Sequence, residues 1–156
     1  MRFVKESIIR AVPETVFAFH EQSEALKLLL PPWETTQVLQ AADISTIGSR
    51  AIVRTTIFGL IPVEWIAEHT VYDPPARFVD VQIKGPFRSW RHTHLVQPHA
   101  DGAVLRDEID YEPPLGFLGR LAAGVLIEPR LRRLFEYRDQ VTRRWCEGVQ
   151  RDKGTD

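Results

Sequence analysis

The sequence predicts an α+β fold in which an antiparallel sheet covers one long C-terminal helix, and three observations predict it. Apolar and polar residues alternate with a period of two through much of the stretch from Thr35 to Pro113. The connections within that stretch are short, which suits antiparallel neighbours and not parallel ones. Beyond Pro129 the spacing changes to three and four residues, through Leu131, Leu134, Phe135, Arg138, Val141, Trp145 and Val149, the stripe of a long amphipathic helix.

The elements follow in order. Residues 3–9 are rich in β-formers and predict a first strand. Pro13 and Glu14 suit a first helical turn ahead of Val16, Phe17, Phe19 and His20. Ser23 is placed to cap a second short helix, which must stop by Leu30 because Pro31 and Pro32 follow. Six strands are then predicted at residues 35–40, 50–58, 63–72, 77–84, 87–97 and 103–112, making seven in all. In the third of the six, Val63, Trp65, Ala67, His69 and Val71 read as the inner face and Glu64, Ile66, Glu68, Thr70 and Tyr72 as the outer. In the next, Val79, Val81 and Ile83 read as inner, and Asp80, Gln82 and Lys84 as outer. Residues 118–127 predict a separate or kinked helical segment, and Pro129 opens the final helix, expected to reach Val149. A single domain over residues 1–150 and a flexible tail over 151–156 complete the expectation.

Composition narrows the function classes. The chain has 156 residues with 20 basic and 21 acidic side chains, a net charge of −1. That balance gives no general footprint for nucleic acid. A chain of this length buries roughly 68–70% of its unfolded surface, so its core needs no disulfide or structural metal. Cys146 is the single cysteine and forms no internal bridge. The opening Met-Arg-Phe-Val-Lys-Glu lacks the apolar stretch of a signal peptide, which makes a cytoplasmic location the expectation. No apolar run approaches the ~20 residues of a membrane span.

A strand, two short helices, six antiparallel strands and a long helix form a distinctive order. With it come Pro13 and Val16-Phe17, Leu30-Pro31-Pro32-Trp33, Trp90-Arg91-His92-Thr93-His94, Asp107-Glu108-Ile109-Asp110-Tyr111 with Pro113 and Gly116, and Phe135-Glu136-Tyr137-Arg138. Over nearly its whole length the chain resembles the START and polyketide cyclase (SRPBCC) superfamily, in particular its small stand-alone bacterial ligand-binding members. The resemblance implies a helix-grip fold, with a curved seven-stranded sheet wrapped around the C-terminal helix and a ligand cavity between them. The superfamily includes lipid carriers, cyclases, ring-hydroxylase domains and chaperone activators, so membership leaves function to the site. The iron-ligand pattern of the ring hydroxylases is not seen in this sequence.

The last two strands carry the candidate site. Their outer positions are polar, Ser89, Arg91 and Thr93 on one, Arg106, Glu108, Asp110 and Glu112 on the other. The alternate positions therefore face inward: Trp90, His92, His94 and Val96, with Leu105, Asp107, Ile109 and Tyr111. If the turn at residues 98–102 sets Val96 opposite Leu105, then His94 falls opposite Asp107 and Trp90 opposite Tyr111. A carboxylate beside an imidazole orients it and favours its protonated form, giving either an acid/base group or an anchor for an anionic ligand. The same pair equally satisfies two buried polar side chains with no ligand involved. His69, Trp65, Phe135 and Arg138 are expected to face the same space, with Trp65, Trp90 and Tyr111 as aromatic wall. His20, His99 and Cys146 read as packing or solvent-facing residues. No HExxH or CxxC pattern accompanies the histidines, so neither a metal nor any other cofactor is expected.

The turns at one end of the strands are apolar, at Leu60, at Phe87 and at Leu115, Phe117 and Leu118, which predicts a cavity entrance or a lip in transient contact with a membrane. The leading expectation is binding of a small or medium hydrophobic molecule, a lipid, polyketide or aromatic compound, with His94, Asp107 and Tyr111 fixing its polar end. Two alternatives stand beside it. One is a cyclase or dehydratase using His94 and Asp107 as catalytic acid and base, with Tyr111 or Arg138 steadying an enolate. The other is a protein-interaction module that uses the apolar rim.

Overall fold

The computed structural model describes residues 1–57 and 61–153. Its elements are β1 (Arg2–Ile9), α1 (Pro13–Glu21), α2 (Ala25–Leu28), β2 (Gln37–Gln40), β3 (Arg50–Ile57), β4 (Ile61–Asp73), β5 (Arg77–Lys84), β6 (Ser89–His99), β7 (Gly102–Glu112), α3 (Gly116–Leu126) and α4 (Glu128–Lys153). The strands form one antiparallel sheet in the order β1-β7-β6-β5-β4-β3-β2. The two short helices carry the chain from β1 at one edge to β2 at the other. This is the α+β helix-grip arrangement expected, with seven strands and a long C-terminal helix on one face. Among the described residues, no helix is long and apolar enough to cross a membrane.

Each element has a local cause. Pro13 sits in the first turn of α1, where its missing N–H is no loss. The second short helix is capped without Ser23: Glu24 occupies the N-cap and makes no side-chain bond there, so packing of the buried Ala25 holds the turn instead. α4 continues to Lys153, beyond the expected end at Val149 and into the expected tail, because residues 150–153 contain neither glycine nor proline. It buries Leu131, Phe135, Thr142 and Cys146 against the sheet and α1, with Leu134, Val141 and Trp145 half-buried.

Two strands depart from the alternation read in the sequence. In β4, His69 pairs with Asp80 and Val71 with Val79, leaving Thr70 as an extra residue in a bulge. His69 is therefore inward as expected, but past the bulge the faces exchange. Tyr72, expected outside, turns in against Phe17, with ring centroids 5.8 Å apart, and Val71 turns out. In β5 the faces through Gln82 are the reverse of those expected, and a register shift at Ile83 returns Lys84 to the outer face, opposite Ile66, where it was expected. Phe78 pairs with His94 and Asp80 with His92, so Phe78 and Asp80 face inward while Val79 and Val81 pair with the outward Thr93 and Arg91. Ile83, expected inside, is half exposed. The strand carries apolar residues on both faces, and the larger apolar surface, that of Phe78, takes the core.

The core divides in two. One cluster gathers Ile9, Val16, Phe17, Phe19, Phe78, Val96, Leu105 and Cys146. The other gathers Phe3, Trp90, Ile109, Tyr111, Ala123, Leu131 and Phe135. Along the β6–β7 pair, the positions between them are those of His92, His94 and Asp107.

Candidate functional site

The β6–β7 hairpin sets the site. Its turn closes between His99 and Gly102, and Gly102 adopts φ +134°, where a Cβ would meet the Ile9 carbonyl oxygen at 2.3 Å. Only glycine fits so tight an approach of β1 to the turn. The resulting register is the one expected: Val96 opposite Leu105, His94 opposite Asp107 and Trp90 opposite Tyr111. His92, His94 and Asp107 are all buried.

Both imidazoles converge on one oxygen. His92 Nε2 donates to Asp107 Oδ1 at 2.9 Å, and His94 Nδ1 lies 2.8 Å from the same oxygen, off the direction a hydrogen bond requires. The two rings are 3.7 Å apart, and Phe78 stacks on His94 at 3.9 Å. Asp80 approaches from the other side, with Oδ2 3.5 Å from His92 Nδ1 and 3.7 Å from His94 Nε2. Each imidazole thus stands between two carboxylates.

Four further groups surround this core. His20 on α1 places its ring 5.6 Å from that of His94 and donates through Nδ1 to the Val16 carbonyl at 2.9 Å. His69, opposite Asp80, keeps a buried Nδ1 without a hydrogen-bond partner. Arg138 on α4 lies over the Phe135 ring at 5.1 Å and donates from Nε to the Leu29 carbonyl at 3.3 Å. Phe135 itself meets the His92 ring at 5.4 Å.

The electrostatics follow from burial and pairing. Burial pushes the Asp107 carboxyl up, but His92 and His94 outweigh it and hold the group well below the usual carboxylate range. Asp80 is held down in the same way by His94 and His92 against its own burial. Burial would lower His94, yet Asp107 and Asp80 raise it above an ordinary histidine. His92 goes the other way, since burial and the neighbouring His94 outweigh its carboxylates. Burial and His94 lower His20 to about 4, and burial lowers His69. Of these four histidines, His94 alone is held above the ordinary value.

Beside the cluster, Trp65, Phe87, Trp90 and Tyr111 form a continuous aromatic wall, with ring centroids 5.0 Å apart for Trp65–Trp90 and 4.8 Å for Phe87–Trp90. The Tyr111 hydroxyl is buried there without a hydrogen-bond partner. A cavity of about 20 Å³ lies under α4, lined by Lys5, Ser7, His20, His94, Asp107 and Arg138 among others, room for about one water. A larger space of about 220 Å³, between β1 and the first half of α4, is walled by Arg2, Lys5, Glu128, Arg132 and Glu136 and holds none of the histidines.

The expected site residues are thus brought together on one face. Of the expected entrance residues, Phe87 packs into the aromatic wall, Leu115, Phe117 and Leu118 are exposed, and Leu60 lies outside the described residues. Asp80 and His20 are the members the sequence reading missed. The alternation of Val79, Val81 and Ile83 points Asp80 outward, whereas its pairing with His92 and His69 turns it in. His20 follows Val16 and Phe17 at helical spacing, which was the available signal for its inward face.

The fold is shared widely. Protein CV1439 from Chromobacterium violaceum superposes with a TM-score of 0.70 at 16% identity, covering 94% of this chain and 98% of that one. TTHA0849 from Thermus thermophilus does so with 0.70 at 20% identity, covering 91% and 97%. Ms6760 from Mycobacterium smegmatis gives 0.68 at 13% identity, covering 95% and 92%. Likeness at these identities speaks to the fold alone. No curated protein matches the sequence. A family model does, over residues 9–135, most of the domain from the end of β1 into the first third of α4, and on that match the chain belongs to the family described as polyketide cyclase/dehydrase and lipid transport.

Proposed function

We propose that the protein binds one small amphiphilic or aromatic molecule between the sheet and α4, with its apolar part on the Trp65–Phe87–Trp90–Tyr111 wall and its polar end toward His94, Asp107 and Arg138. The family and fold are consistent with binding of a hydrophobic ligand. The observation that carries the finer reading is the buried Tyr111 hydroxyl with no partner, set in an apolar wall beside a charged cluster. An orphaned buried hydroxyl costs about 1–3 kcal/mol, which a ligand acceptor would offset. With room for about one water under α4, uptake requires α3 and the start of α4 to move off the wall. The exposed Leu115, Phe117 and Leu118 at the start of α3 suit that lid.

Native mass spectrometry of protein purified from its own cell, with titration of an environment-sensitive fluorescent fatty acid and an aromatic probe, tests the reading. A co-purifying mass, or saturable one-to-one probe binding weakened by Tyr111→Phe, is expected. A bare chain mass together with no saturable uptake of either probe would overturn it. The exposed α3 residues, with the nearly filled interior, would then favour a protein-interaction module.

A further inference from the structure

The inward turn of Asp80 changes what the histidines offer. With Asp80 outside, as its strand's alternation suggested, His92 and His94 are two nitrogens facing one carboxylate, Asp107. With Asp80 inside, a second carboxylate oxygen faces the opposite edges of both rings, 3.5 Å from His92 Nδ1 and 3.7 Å from His94 Nε2. These separations are too long for hydrogen bonds. They are near the spacing of atoms that share a metal ion, since bonds of about 2.1 Å in a tetrahedral site put neighbouring ligand atoms about 3.4 Å apart. One ligand atom from each of Asp80, His92 and His94 lies within 4.8 Å of the others.

We propose that Asp80, His92 and His94 form a binding site for one divalent transition-metal ion of the zinc type. Asp107 is the orienting residue of that site. Its Oδ1 accepts from His92 Nε2 at 2.9 Å and stands 2.8 Å from His94 Nδ1 as a counter-charge, with the near nitrogens of both rings turned toward Asp80. A carboxylate behind each ligating imidazole is the usual support of such sites, fixing the tautomer and raising basicity at the metal. Rigidity comes from the register, which places the three ligands on two adjacent strands, and from Phe78 stacked on His94. His69, opposite Asp80 on the third strand, has a buried Nδ1 without a hydrogen-bond partner, a further nitrogen donor on the same face. Two imidazoles with one carboxylate select zinc, cobalt, nickel or ferrous ions over magnesium and calcium, whose preferred ligands are all oxygen.

The site goes beyond the ligand-binding reading and is tested without it. The full chain, stripped with a chelator and dialysed, is titrated with Co²⁺, Zn²⁺ and Mg²⁺, following heat and the visible absorption of bound cobalt. One Co²⁺ per chain, displaced by Zn²⁺ and not by Mg²⁺, is expected. Asp107→Asn should weaken binding about 10–100-fold through its effect on both rings, and Asp80→Asn at least as much. His99→Gln, in the β6–β7 turn, should leave binding unchanged. Should the site variants fail to fold by circular dichroism, X-ray absorption of the zinc-loaded wild-type protein decides. A first shell of nitrogen and oxygen with imidazole scattering supports the site. An all-oxygen shell, failure to retain zinc, cobalt binding unchanged in folded Asp80→Asn, or its loss in His99→Gln would overturn it. None of these outcomes bears on probe uptake, so the two readings fail separately.

Discussion

Asp107 presents one carboxylate oxygen to two imidazoles in a space closed to solvent, and much of the site's order depends on it. Removing one member of a buried, paired set of charges leaves the others uncompensated, at a cost of roughly 3–5 kcal/mol. Asp107→Ala should therefore lower stability by about that amount, read from the urea denaturation midpoint, because His94 loses its nearest counter-charge. An unchanged midpoint would show that Asp80 alone suffices to hold the cluster. Phe78 acts by a different route. Its ring lies flat on His94, with planes 13° apart, and fixes that imidazole in position by contact area.

At the scale of elements, α3 leaves most of its apolar side chains in water. It begins after Leu115, a non-glycine residue at φ 67° in the left-handed region, and its Phe117, Leu118, Leu121 and Val125 are all more than 60% exposed. It is tied down at Gly119, where a Cβ would lie 1.8 Å from the Pro114 carbonyl oxygen, at Arg120, which pairs with Glu112 at the end of β7 at 3.0 Å, and at the fully buried Ala123. Apolar side chains left in water contribute little to stability and make sense on a surface that meets something else. A double variant, Phe117→Ser with Leu118→Ser, should change stability by no more than about 0.5 kcal/mol. The same variant should slow association of the fluorescent probe in stopped-flow measurements. Wild-type rates in the folded variant would remove α3 from the entry route.

Across the whole molecule, a layer of charged and titratable side chains runs between two apolar clusters, and α4 spans both. Phe135 belongs to one cluster, where it meets Phe3 at 5.5 Å, and Cys146 to the other. Cys146 is fully buried, and burial with the nearby Glu147 pushes its thiol up to about 12. Near neutral pH such a thiol stays protonated and, being buried as well, has to wait for α4 to leave the sheet before an alkylating reagent reaches it. Iodoacetamide labelling of Cys146 should then be negligible in the native protein and should rise with urea along the global unfolding curve. Rapid labelling without urea would mean that the C-terminal half of α4 opens independently of the rest.

The fold class, the order of elements and the inner face of β6 and β7 are legible in the sequence, and the β6–β7 register follows from it once the turn at residues 98–102 closes between His99 and Gly102. Each rests on strong local signals: prolines at element boundaries, a long stripe at helical spacing, and two strands whose outer faces are uniformly polar. The sequence therefore also puts His92, His94 and Asp107 on the shared inner face. The places of Asp80, His20 and Tyr72 depend on contacts between distant elements. β5 carries apolar residues on both faces, so alternation alone does not choose between Phe78 and Val79, and packing of Phe78 against Phe17 and His94 does. One extra residue at Thr70 reverses every side chain beyond it, and that bulge becomes visible only when β4 is laid against β5. His20 joins the cluster because α1 crosses the sheet at His94, a contact between residues 74 positions apart that no local pattern encodes.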